Sequence, residues 1–132
     1  MAPHPLQPNA RILVVDDDEI VAAGLLAALR RDGYDVLVTH NGYAALDALS
    51  HEDFALVLTD LKMPGMSGIE VLQQVRRLQQ RTPVVVMSGY ANRQAADEAL
   101  EWGADEFLVK PVDYVRLRDT LRMHIAQAVL PE

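Results

Sequence analysis

The stretch Ile12-Leu13-Val14-Val15-Asp16-Asp17-Asp18-Glu19 decides the fold. Four apolar residues, three of them β-branched, run directly into four consecutive acids. An apolar run without polar alternation suits a strand covered on both faces, as in a parallel sheet flanked by helices. Four more short runs follow the same plan: Asp35–Thr39, Phe54–Thr59, Pro83–Met87 and Glu106–Val109. Each of the five precedes a segment with helical spacing, so strand and helix alternate five times.

The helical segments differ in what they offer for burial. Ile20, Gly24 and Ala28, with Leu25 and Leu29, predict an apolar face on the first, stopped by Asp32-Gly33. Asn41-Gly42 opens the second, which runs to about Ser50. Ser67 caps a third carrying Ile69, Leu72 and Val75, with Glu70 placed to complete a capping box. The fourth, about Asn92 to Trp102, has only Ala95, Ala96, Ala99 and Leu100 to bury, which predicts a thinly anchored, mobile helix. The fifth, about Asp113 to Val129, spaces Leu117, Leu121, Ile125 and Ala128 along one side.

This alternation predicts an α/β fold, a (βα)5 three-layer sandwich around a five-stranded parallel sheet. Right-handed crossovers in an open sheet put ligands at the carboxyl ends of the strands, where the strand order reverses. With 132 residues, half of them hydrophobic, the chain suits one domain with its own core. We expect a flexible leader over residues 1–10, because Pro3, Pro5 and Pro8 oppose regular structure, and a folded domain over residues 11–130.

Cysteine is absent, which excludes disulfides, thiolate metal sites and thiol nucleophiles. Apolar runs such as Phe54 to Leu58 and Val84 to Met87 are far short of a membrane span, and Met1 to Ala10 lacks the apolar core of a secretory signal. A soluble cytoplasmic location is the expectation. Nineteen acids against twelve basic residues give a net charge of −7, which disfavours direct nucleic-acid binding by this domain.

The strand ends carry the chemistry. The first strand ends in Asp16, Asp17 and Asp18, and the third in Thr59-Asp60, followed by Leu61-Lys62-Met63-Pro64-Gly65. Helix capping accounts for one or two of the leading acids, hardly for all. Neighbouring first and third strands would bring Asp16, Asp17 and Asp60 together, and like charges at that range repel unless a cation intervenes. Hard oxygen ligands without His or Cys suit Mg²⁺. The fourth strand ends in Ser88-Gly89 and the fifth in Lys110-Pro111, Lys110 being one of two lysines in the chain.

Val14-Val15-Asp16-Asp17, Asp60-Leu61-Lys62-Met63-Pro64-Gly65, Ser88-Gly89 and Lys110-Pro111, in this order and spacing, resemble the receiver domain of two-component response regulators. The match covers about Arg11 to Val129. It implies the flavodoxin-like sheet order 2-1-3-4-5. It also implies that Asp60 takes a phosphoryl group from the phosphohistidine of a sensor histidine kinase. Asp17, Asp60 and the Lys62 backbone carbonyl would hold Mg²⁺, Asp16 acting largely through water. Lys110 would offset charge on the transferring group and Ser88 would donate to it.

The resemblance further implies a cis Lys110–Pro111 peptide that aims the lysine, an arrangement only proline makes cheap. It implies switching through Ser88 and the aromatic Phe107, read out on the fourth helix, fifth strand and fifth helix by an output partner or by homodimerisation. Phe107 lacks the hydroxyl of the common tyrosine, and Ser88 replaces the commoner threonine. Lys62 and Tyr90 flank the water approach and predict slow self-dephosphorylation. Trp102 is either a partner anchor or a core residue closing the fourth helix. His4, His40, His51 and His124 are expected at the surface.

Two other readings compete. Asp16-Asp17-Asp18 also resembles the D-x-D opening of haloacid-dehalogenase-type phosphatases, with Asp16 as nucleophile and Asp18 as acid/base. Only Asp113 and Asp119 remain after Lys110 to supply that family's later acidic pair. The second is a phosphorylation-independent scaffold on the receiver fold. A dinucleotide-binding domain is disfavoured because no G-x-G-x-x-G follows the first strand. The chain stops soon after the fifth helix, at Pro131-Glu132, which fits a stand-alone regulator or the receiver of a longer protein.

Overall fold

On β1 (Arg11–Val15), Leu13 and Val15 face one core while Ile12 and Val14 face another. The two-residue period of a strand divides its apolar side chains between two layers of helices. The computed structural model describes residues 10–79, 81–89 and 93–129. After β1 come α1 (Glu19–Arg31), β2 (Asp35–Thr39), α2 (Gly42–His51), β3 (Leu56–Asp60), α3 (Gly68–Leu78), β4 (Val84–Ser88), α4 (Arg93–Glu101), β5 (Glu106–Val109) and α5 (Tyr114–Val129).

All four strand pairings are parallel, in the order β2-β1-β3-β4-β5. The expected (βα)5 sandwich and its strand order are both present. The order reverses at β1, which pairs with β2 through Val15↔Thr39 and with β3 through Val15↔Thr59. One core takes Leu25 and Leu29 of α1 with Leu117, Leu121 and Ile125 of α5. The other takes Ala45 and Leu49 of α2, Val71, Leu72 and Val75 of α3, and Ala99 of α4.

Local signals set the helix starts. The Asp18 carboxylate accepts from the Ile20 and Val21 amides and caps α1, Asn41 caps α2 through the Ala44 amide, and Ser67 and Glu70 form the capping box of α3. Each satisfies amides that the first turn leaves without a helical partner. The fourth helix is as thinly anchored as its alanines suggest, with Ala99 its one buried residue, Leu100 49% exposed and Trp102 50% exposed.

Three expectations need correction. Ile20 lies on the predicted apolar face of α1 but is 85% exposed, because the buried stripe runs through Ala22, Leu25 and Leu29 and the first turn rises beyond the sheet. Ala128 is exposed at the end of α5, past the last turn that meets the sheet. His124 is not a surface residue: its side chain is 11% exposed and its Nε2 lies 3.0 Å from Glu106 Oε1.

The expected leader falls outside the described residues except for Ala10, which is buried and accepts a hydrogen bond from the Asp35 amide at 3.0 Å. Tyr90, and Asn92 at the expected start of the fourth helix, also fall outside them. Among the described residues no helix is long and apolar enough to cross a membrane.

Candidate functional site

Four parallel strands deliver their carboxyl ends to one edge of the sheet, and each brings a functional side chain there. Asp16 follows β1 directly, Asp60 and Ser88 are the last residues of β3 and β4, and Lys110 follows β5. Asp16 is fully buried, while Asp60 and Ser88 are 8% and 1% exposed. Asp17 is exposed at the rim, yet carboxylate oxygens of Asp16, Asp17 and Asp60 all lie within 4.8 Å of one another.

Asp16 is held on every side. Its Oδ1 accepts from the Asp18 amide at 2.9 Å and its Oδ2 from Lys110 Nζ at 2.8 Å. Its own amide donates to the Thr39 carbonyl at 3.0 Å, and its carbonyl accepts from His40 Nδ1 at 3.1 Å. Asp60 Oδ1 accepts from the Leu61 amide at 2.9 Å, and Asp60 Oδ2 lies 3.4 Å from Lys110 Nζ. Strand pairing locks the neighbouring pieces: the Lys110 amide donates to the Ser88 carbonyl at 2.8 Å, and the Lys110–Pro111 peptide is cis.

Burial pushes the Asp60 carboxyl above the usual carboxylate range; the Asp16 charge adds to this and Lys110 opposes it. Burial alone would lower the Lys110 pKa, but the carboxylates of Asp16 and Asp60 outweigh it and the net direction is upward. Two carboxylates, Asp16 and Asp60, therefore share one ammonium while Asp17 stands beside them, unpaired among the described residues, and an oxygen cluster with surplus negative charge fits a small hard cation. The Lys62 side chain is exposed on the loop after Asp60. Phe107 is half-buried and packs on the α2–α3–α4 side of the sheet, beside Val86 in register and two positions below the Ser88–Val109 pair.

Sequence reasoning missed two supports of this site. Gly68 opens α3 against the backbone of Asp60: a Cβ there would sit 2.2 Å from the Asp60 carbonyl oxygen, and the Gly68 amide donates to the Leu61 carbonyl at 2.7 Å. A glycine directly after a helix cap is the signal that could have pointed to it. His40 is exposed, as expected, but its ring also bonds to the Asp16 carbonyl, a role that nothing in the sequence signalled.

A family model described as "Response regulator receiver domain" matches residues 12–122. The chain belongs to this family. The receiver is 40% identical over 118 residues to the transcriptional regulatory protein ZraR of Escherichia coli, a match that covers 89% of this chain and 27% of that protein. It is 33% identical over 117 residues to sporulation initiation phosphotransferase F of Bacillus subtilis, covering 89% of this chain and 94% of that one. Among solved structures, a response regulator receiver domain from Methanospirillum hungatei superposes with a TM-score of 0.86 at 29% identity, over 90% of this chain and 95% of that one. The chain thus spans about a quarter of the first curated relatives it matches.

The match to the receiver family displaces the phosphatase reading. Asp18, its acid/base, is committed to capping α1, and Asp113 accepts from the Val115 amide at the start of α5. This receiver is a signalling domain.

Proposed function

We propose that this receiver accepts a phosphoryl group on Asp60 from the phosphohistidine of a sensor histidine kinase, in a Mg²⁺-dependent reaction. The observation that carries the reading is the convergence of Asp60 with Asp16, Asp17 and Lys110 at the strand ends, within a family built for phosphoryl signalling. An oxygen of Asp60 attacks phosphorus as the P–N bond to the kinase imidazole breaks, its electron pair passing to that nitrogen of a ring protonated at the other one, leaving an acyl phosphate on the receiver and a neutral histidine on the kinase. Mg²⁺, when bound, draws Asp60 into its ionised, nucleophilic form and offsets charge on the transferring oxygens.

Asp17, Asp60 and the Lys62 carbonyl are the proposed metal ligands, with Asp16 acting through water. Lys110 supplies a fixed positive charge beside the transferring group, and Ser88 donates to one of its oxygens. Asp60 chemistry is confined to self-phosphorylation and self-dephosphorylation, the latter slowed, as the resemblance implies, by the bulk of the residues at positions 62 and 90. The receiver unit is assigned to residues 11–130, with Ala10 packed onto its core, after a leader over the residues before it, and acts in the cytoplasm.

Readout is assigned to α4, β5 and α5, through Ser88 and Phe107. The support is a helix with one buried residue next to exposed apolar groups, Leu100, Trp102 and Val109 at 49%, 50% and 48% exposure. Such a segment can repack at low cost. That face would engage an output protein or domain, or a second copy of the chain. The test is beryllofluoride with Mg²⁺, followed through backbone amide resonances. Changes at the strand ends that spread to α4 and β5 are expected, and a spectrum unmoved by saturating ligand contradicts the reading.

A further inference from the structure

We infer that His40 is a positioning residue for the metal-facing acids, holding the peptide between Asp16 and Asp17 and so aiming Asp17. The inference rests on the reading of Asp16, Asp17 and Asp60 as a Mg²⁺ site. His40 follows β2, and its Nδ1 lies 3.1 Å from the Asp16 carbonyl oxygen, which accepts the ring N–H. The same strand end takes the Asp16 amide on the Thr39 carbonyl at 3.0 Å, and Thr39 Oγ1 donates to the Val14 carbonyl at 3.0 Å. Two consecutive residues, Thr39 at the end of β2 and His40 just after it, therefore grip the backbone on either side of the Asp16 Cα.

The two acids depend on this grip differently. Asp16 is also fixed through its carboxylate, by the Asp18 amide and Lys110. Asp17 is exposed, and among the described residues its carboxylate makes no hydrogen bond or ion pair. Its direction is left to the backbone. A peptide unit is planar, so fixing the Asp16 carbonyl fixes the Asp17 amide and the place of the Asp17 Cα. The ring of His40 is the only side chain among the described residues that bonds to that carbonyl.

Groups that orient metal ligands through hydrogen bonds commonly change metal affinity by about 10–100-fold. His40 acts on a peptide rather than on a ligating atom, so a smaller effect, about 3–10-fold, is expected. Asparagine carries its amide nitrogen on Cγ, as histidine carries Nδ1, and can donate to the same carbonyl.

The experiment is a Mg²⁺ titration of the native receiver, His40→Ala and His40→Asn, read through backbone amide resonances, with melting of each protein without metal. His40→Ala should weaken Mg²⁺ binding about 3–10-fold and shift the Asp17 and Asp18 amides before metal is added. The metal-free melting temperature should stay within about 2 °C, and His40→Asn should return affinity to within about twofold. In an Asp17→Asn background the His40→Ala effect should vanish, since the aim of Asp17 no longer matters. Affinity in His40→Ala within twofold of native overturns the inference. So does an asparagine variant no better than alanine, or affinity and melting temperature falling together in every variant. Failure of the native receiver to bind Mg²⁺ overturns the reading of the site itself.

Discussion

Lys110 Nζ lies 2.8 Å from Oδ2 of Asp16, an acid with no exposed side-chain surface, and the lysine thereby neutralises the charge least able to reach water. Removing one partner of such a pair leaves the other buried and uncompensated, which costs about 3 kcal/mol or more. Lys110→Met should lose about that much stability in urea without metal, and the Asp16→Asn/Lys110→Met double variant should recover most of it. A loss below about 1 kcal/mol in the single variant would mean that the pair is no stronger than an exposed one.

Asp60 predicts a pH dependence of opposite sign to that of an ordinary paired carboxylate. Its folded pKa is raised by burial and by Asp16, so below about pH 4 it is protonated in folded and unfolded chains alike. As pH climbs toward the raised value, the unfolded chain releases its proton first, and stability falls. Relative to Asp60→Asn, the metal-free native receiver should lose stability as pH rises from about 4 and then level off. Saturating Mg²⁺ should stabilise the native protein and leave the variant nearly unmoved, as differential scanning calorimetry would report.

Gly68 is a steric requirement of the end of β3. A methyl group 2.2 Å from the Asp60 carbonyl oxygen forces α3 or Asp60 to move. Gly68→Ala should cost about 1–3 kcal/mol and weaken Mg²⁺ binding, whereas a glycine serving only as a turn would lose stability and keep its metal affinity.

The fourth helix is pinned at one end. Arg76 of α3 donates to the Thr82 and Gly103 carbonyls, each at 2.6 Å, and to Asp105 Oδ2 at 3.0 Å, holding the turn between α4 and β5. Along its length only Ala99 is buried. Amide exchange should therefore be faster in α4 than in α3 or α5, and Arg76→Met should speed exchange across residues 102–105. Equal protection in all three helices would count against α4 as the element that repacks.

The layout of the fold and the acids was legible because both are written contiguously: an apolar run states that a strand is covered, and the residues at its end are delivered with it. The alanine-rich face of α4 announced its weak anchoring in the same local way. What the sequence did not disclose depends on partners distant along the chain. His40 meets Asp16 across 24 residues and His124 meets Glu106 across 18, pairings that sheet order and helix rotation determine. Ile20 satisfies the helical period, but period alone does not tell where a first turn clears the sheet. Gly68 is demanded by how closely α3 approaches β3, a distance set by the loop between them.

The most direct measurement is the intact mass of the receiver after incubation with a small phosphodonor, with and without Mg²⁺, compared with Asp60→Asn. The account predicts one added phosphoryl group on the native chain, dependent on Mg²⁺, labile to hydroxylamine as an acyl phosphate is, and absent from the variant. No added phosphoryl group on the native chain, or one that persists in Asp60→Asn, would contradict it.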